Sequence, residues 1–269
     1  LYQAGCNIID SQQFGDVQGE DATGLFFMRV HFAAPPHLAS AEMLDKLFAH
    51  VSGQFGMDAR FHAVADRPRL LLMVSQHGHC LNDLLFRWKS GQLDVDIPAI
   101  VSNHSKYAEL AASYGIAFHH LPLPIGADAA TKRAQEQQVE AIVERERIDL
   151  VVLARYMQIL SDDLASFLSG RCINIHHSFL PGFKGAKPYH QAHARGVKMI
   201  GATAHYVTED LDEGPIIHQD VESVTHSDTP EDMVRKGRDV ERRVLAEAVR
   251  LHLEDRVLLN HDKTVVFKS

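Results

Sequence analysis

Between residues 69 and 176 the sequence keeps switching its hydrophobic period. Strand-length apolar runs at 69–75, 96–102, 116–121, 149–154 and 171–176 alternate with helical patterns at 80–89, 105–114, 129–147 and 161–168. That alternation is the mark of a mostly parallel sheet covered by helices on both faces. Beyond residue 198 the texture changes. "KMIGATAHYVT" and "GPIIHQDVESV" read as longer, antiparallel strands, and residues 230–253 as a long amphipathic helix. "RVLLNHDKTVVF" closes the chain as a hairpin around Asn260, His261 and Asp262.

Residues 1–66 have a different rhythm. "CNIIDSQQF" (6–14) and "GLFFMRVHF" (24–32) read as strands joined by a polar turn. In 40–55, Met43, Leu44, Leu47, Phe48 and Val51 recur at helical spacing behind Ser40, an expected N-cap. "DARFHAVA" (58–65) is expected to be one more strand. The chain starts at Leu1 without a methionine, and one further strand ahead of it would complete a βαββαβ unit. The Asp66-Arg67-Pro68 junction divides this unit, residues 1–66, from a larger one, 67–269.

Charge and cysteine usage narrow the function classes. A formal net charge of −8 lacks the footprint of a nucleic-acid binder. The longest apolar runs, such as Leu70–Val74, are far too short to cross a bilayer. The first residues lack the basic-then-apolar order of a signal peptide. Cys6, Cys80 and Cys172 are scattered and odd in number, which suits a reducing cytoplasm and no disulfide framework.

The run at 171–176 carries two polar residues, Asn174 and His176. Residues two apart in a strand share a face, so an amide and an imidazole project together where the chain leaves the sheet. Ligands of open α/β sheets bind at such carboxyl ends. Gly182 and Gly185 follow, and suggest a mobile loop over the site. Other motifs fail. The loop after the first α/β strand has only Gly78, so the dinucleotide fingerprint is missing, and Ser178 has no nucleophile-elbow context. His190 and His193 have no carboxylate to complete a zinc pattern, and they read as helix-surface residues or substrate contacts. His119 and His120 read as a pocket edge or loop cap. In "TAHYVTEDLDEGP", Glu209, Asp210 and Glu213 read as solvated acids. Asp212 is open between a solvated acid and an inward carboxylate. Turned inward beside His176 it would share a proton, while Asn174 donated to an oxyanion.

"NIHHSFLPGFKGAKPYHQA" followed by "GATAHYVTEDLDEGPII" resembles the signature of the formyltetrahydrofolate-dependent formyltransferases and hydrolases. The resemblance covers about residues 69–230. "SQHGHCLNDLLFRW" is similar to the deformylase branch, which joins an N-terminal ACT-type regulatory domain to this catalytic domain. It implies an ACT-like unit over 1–66, lacking its first strand, ahead of a Rossmann-like formyltransferase-type domain. It implies Asn174, His176 and Asp212 as the catalytic set. Folate contacts then fall on Tyr156, Met157, Gln158, Ile159 and Leu160, on Ser178, and on His205, Val207 and Thr208. The related transferases carry a Gly-Ser-Asn phosphate loop where this chain has Gly78-His79-Cys80. Water is therefore the implied acceptor, and 10-formyltetrahydrofolate the substrate rather than a cofactor. No metal or cofactor is implied. A small-molecule effector at the ACT-like unit, a homo-oligomer and a cytoplasmic location complete the expectation. A transferase to an amine acceptor and a non-catalytic folate sensor are the alternatives.

Overall fold

A computed structural model describes residues 1–38, 40–180 and 188–268, which divide into two compact units, Leu1–Arg67 and Pro68–Lys268. Gly182 and Gly185, and the loop they suggested, lie outside the described residues.

In the first unit, β1 (Asn7–Gly15) and β2 (Phe26–Ala33) form an antiparallel pair running from Asn7 opposite Ala33 to Gly15 opposite Phe26. Helix α1 (Ala41–Phe55) follows, and the Ser40 side chain caps it by accepting from the Met43 amide. The expected strand over 58–65 does not form. An extended segment becomes a strand only through ladder bonds to a neighbour, and the sheet of this unit holds β1 and β2 alone among the described residues. Side-chain packing holds the segment instead: Phe61 meets Phe32 and Phe48 edge-on, with centroids 6.2 and 5.5 Å away.

The second unit follows the alternation. Its elements are β3 (Arg69–Val74), α2 (His79–Lys89), β4 (Asp96–Ser102), α3 (Ala108–Ser113), β5 (Ala117–His120), α4 (Ala129–Arg145), β6 (Leu150–Leu153), α5 (Asp162–Phe167) and β7 (Cys172–His176). Then come α6 (Pro188–Arg195), β8 (Met199–Tyr206), β9 (Ile216–Ser223), α7 (Pro230–Leu253) and the hairpin β10 (Val257–Asn260) and β11 (Lys263–Val266). One seven-stranded sheet has the order β5-β4-β3-β6-β7-β8-β9. The first five of these are parallel, and β8 and β9 are added antiparallel.

The apolar run of β3 explains its central place. Leu70, Leu72 and Val74 join the core beneath α2 and α7, while Leu71 and Met73 join the core beneath α4 and α5. A strand buried on both faces has to be apolar throughout. Helix α7 starts from a capping box, in which Thr229 and Asp232 satisfy each other's backbone amides, with Pro230 in its first turn. From β3 the sheet grows outward through β4 and β5 on one side and through β6 and β7 on the other. That reversal puts the switch-point crevice between the loops leaving β3 and β6.

Candidate active site

Asn174 and His176 leave the same face of β7, which pairs with β8 so that Asn174 lies opposite His205 and His176 opposite Thr203. This register makes His205 the hub. Its Nδ1 lies 2.8 Å from the Tyr206 carbonyl, which can only accept, so Nδ1 carries the proton. In the neutral ring Nε2 then accepts from the Asn174 amide nitrogen, 3.2 Å away. The amide is thereby turned with its NH2 inward, and its second N–H is left for a ligand.

Asp212 comes from the turn after β8. Its Oδ2 receives His176 Nδ1 at 3.1 Å, and its Oδ1 lies 3.7 Å from His205 Nε2. Of the two sequence alternatives for Asp212, the inward carboxylate is the one observed. Its backbone has φ +59°, a left-handed conformation that aspartate tolerates better than most residues. Two residues on, a Cβ at Gly214 would fall 1.8 Å from the Tyr206 carbonyl oxygen. Only glycine lets the turn close against the carbonyl that fixes His205. Burial alone would raise the Asp212 carboxyl pKa, but the hydrogen bond from His176, with the His205 ring beside it, outweighs this. Together they hold the group well below the usual carboxylate range. His176 Nε2 is buried and has no hydrogen-bond partner among the described residues. The site therefore presents a fixed carboxylate, an imidazole with its far nitrogen free, and an oriented amide.

The residues expected to contact folate separate by environment. Met157 and Ile159 are 52% and 61% exposed although apolar. Tyr156 is buried in the core, where desolvation pushes its hydroxyl up to about 12. Gln158, Leu160 and Val207 are half-buried and Thr208 is exposed. Ser178 is buried; its carbonyl accepts from Thr203, whose hydroxyl also receives the Leu180 amide. Ser75 ties the rim together by donating to Asn103 and accepting from the Met157 amide. His190 and His193 lie exposed on α6, and His119 and His120 end β5.

A buried cluster around Glu241 was not singled out in the sequence. Glu241 on α7 is 1% exposed, and it accepts from the Tyr189 hydroxyl at 2.6 Å and pairs with His79 at 2.7 Å. Arg155 lies 3.4 Å from the same carboxylate. The signal for Glu241 was its position inside the apolar stripe of α7, between Val240 and Val244. An acid on a core-facing stripe is rarely left without partners.

Residues 68–249 match the formyl transferase family. The chain is similar to the formyltetrahydrofolate deformylase of a Corynebacterium species, at 47% identity over 97% of this chain and 88% of that one. It is 43% identical to the Bacillus subtilis formyltetrahydrofolate deformylase over 99% and 87% of the two chains. The crystal structure of a formyltetrahydrofolate deformylase from Burkholderia mallei superposes with a TM-score of 0.91 and 52% identity, over 99% of this chain and 92% of that one. A glycinamide ribonucleotide transformylase from Symbiobacterium toebii superposes with a TM-score of 0.69 and 28% identity, over 78% and 99%.

Proposed function

The chain belongs to the formyltetrahydrofolate deformylases within the formyl transferase family, and we propose on that premise how its residues work. It hydrolyses 10-formyltetrahydrofolate to tetrahydrofolate and formate. The observation that carries the mechanism is the junction of Asn174, His176 and Asp212 around an orienting His205. Water attacks the formyl carbon and a C–O bond forms. The carbonyl electrons move onto oxygen, where the spare Asn174 N–H and a protonated His176 Nε2 receive the charge. The proton released by water is collected at the Asp212–His176 pair. As the C–N bond breaks, the same pair returns a proton to the folate nitrogen, and the second water hydrogen leaves with formic acid, which ionises to formate. Asp212 suits this work because the hydrogen bond from His176 already holds its charge in place.

The exposed apolar side chains of Met157 and Ile159 support a folate-binding role for the rim, since large apolar groups at a cleft edge mark ligand surfaces. Tyr156, Gln158, Leu160, Ser178, Val207 and Thr208 remain assigned to that rim or to its backing. We read residues 1–66 as an ACT-like unit that takes a small-molecule effector and assembles the chain into a homo-oligomer. Its support is the antiparallel pair and single helix. Among the described residues no helix is long and apolar enough to cross a membrane. A cytoplasmic location and a reaction without metal or cofactor belong to the same reading.

Incubating the purified chain with 10-formyltetrahydrofolate and no amine is the deciding experiment. Formate release at a catalytic rate is expected. Turnover that starts only when an amine is added would make it a transferase, and binding without turnover would make it a sensor.

A further inference from the structure

The crevice between the ends of β3 and β6 is where an open α/β sheet receives a ligand, and this chain fills it with its own charged side chains. From the β6 side comes Arg155. Leu153, opposite Asn174, is the last residue of β6 in the parallel register, and Arg155 follows two residues beyond it. Its backbone has φ +65°, a conformation that favours glycine, so it leaves the strand register and turns a 9% exposed side chain toward Glu241, with its charge acting on His177 next to His176. From the β3 side comes His79, the first residue of α2. Glu241 on α7 joins them, 3.4 Å from Arg155 and 2.7 Å from His79, and Tyr189 of α6 seals the same carboxylate. Gly78 is packed so tightly that a Cβ there would fall 2.5 Å from the Tyr107 ring.

Stability alone explains this cluster poorly. Among the described residues Arg155 Nε and Nη1 are buried without a hydrogen-bond partner, a defect that apolar side chains of similar volume would avoid. His79, Cys80 and Glu241 also bring metal-type donors within 4.8 Å of one another among the described residues. The Arg155 guanidinium beside the same carboxylate opposes a second cation there.

We propose that Arg155, held by Glu241 and His79, determines acceptor specificity by occupying the space beside His176 that an amine would need, so that only water reaches the formyl carbon. This rests on the hydrolase reading and names the residues that enforce it. A water molecule beside them can accept from Arg155 Nη1, which has no hydrogen-bond partner among the described residues. An amine with substituents would have to displace the Arg155 side chain.

The test measures where the formyl group goes. Wild-type chain, 10-formyltetrahydrofolate and an excess of glycinamide are mixed, with an enzyme-free control, and formate and N-formylglycinamide are both counted. Wild type should release formate alone and be unaffected by the amine. Formylglycinamide formed by wild type at a rate near that of hydrolysis would overturn the proposal without needing any variant. Arg155→Gly suits the left-handed backbone while it empties the space. Arg155→Gly with Glu241→Gln avoids stranding the carboxylate, in case the single variant does not fold. In whichever variant folds, the ratio of formylglycinamide to formate should rise at least about tenfold, the low end of what pocket volume discriminates. A folded variant that still hydrolyses with an unchanged ratio sinks the inference and leaves the hydrolase reading standing. Wild type that makes neither product sinks the hydrolase reading itself.

Discussion

Asp212 is a residue whose charge and backbone can be tested apart. Its φ of +59° suits asparagine at least as well as aspartate, so Asp212→Asn removes the charge and leaves the turn intact. General acid–base groups contribute roughly 100- to 10,000-fold in rate, and kcat should fall by that much. Folate affinity should change far less, because the loss is felt mainly in the transition state. A variant hydrolysing at nearly the wild-type rate would remove Asp212 from the chemistry. Ile159 allows a cleaner test of binding. It is 61% exposed, so Ile159→Asn should shift stability by no more than about 0.5 kcal/mol. Its KM for 10-formyltetrahydrofolate should nevertheless rise. An unchanged KM would take this residue off the folate rim.

At the level of elements, what could be read in the sequence was whatever depends on period and local chemistry. The parallel strands, the antiparallel pair after residue 198, the amphipathic α7 and the terminal hairpin all carry their reasons in their own residues. So did the shared face of Asn174 and His176. The strand expected over 58–65 failed because a ladder needs a partner, which no local pattern supplies. His205 was expected only as a folate contact, yet its register opposite Asn174 makes it the orienting residue. Glu241 stayed hidden because its partners come from α2, α6 and the end of β6. Helix α7 holds that cluster through a close approach: a Cβ at Gly237 would lie 2.1 Å from the Tyr189 ring. Gly237→Ala should push α6 away from α7 and weaken the Tyr189–Glu241 bond. Overpacking of this kind costs about 1–3 kcal/mol, readable as a lower denaturant midpoint. A midpoint equal to wild type would show that the ring moves aside freely.

Across the whole molecule, both large core clusters beneath the seven-stranded sheet lie between Leu70 and Val257. A truncated chain beginning at Pro68 should therefore keep its circular dichroism and part of its hydrolysis, and the proposed role of residues 1–66 adds a changed subunit number or a lost effector response. If it stays folded but binds no folate, residues 1–66 complete the site. Global stability should also carry a pH signature from the buried groups around the site. Burial, reinforced by the Arg155 charge, lowers His177 to about 4. The unfolded chain binds that proton near pH ~6.5, so between the two values it holds a proton that the fold refuses. The stability due to neutral His177 is thus complete above about pH 6.5 and is lost as pH falls toward 4. Glu241 behaves differently. Desolvation opposes its charge, but His79, Arg155 and Tyr189 outweigh that and bring it down to about 2. Its unfolded value is near ~4.3, so its share persists through the His177 window and declines only below it. The denaturant midpoint of wild type should therefore fall between about pH 6.5 and 4.5. His177→Phe keeps a ring against His176 and Tyr189 but cannot titrate, and its midpoint should be flatter over that window. Glu241→Gln removes a charge that raises His177, so its midpoint should fall at least as steeply as that of wild type there. Equal slopes in wild type and His177→Phe would mean that His177 is not the group whose protonation the fold resists.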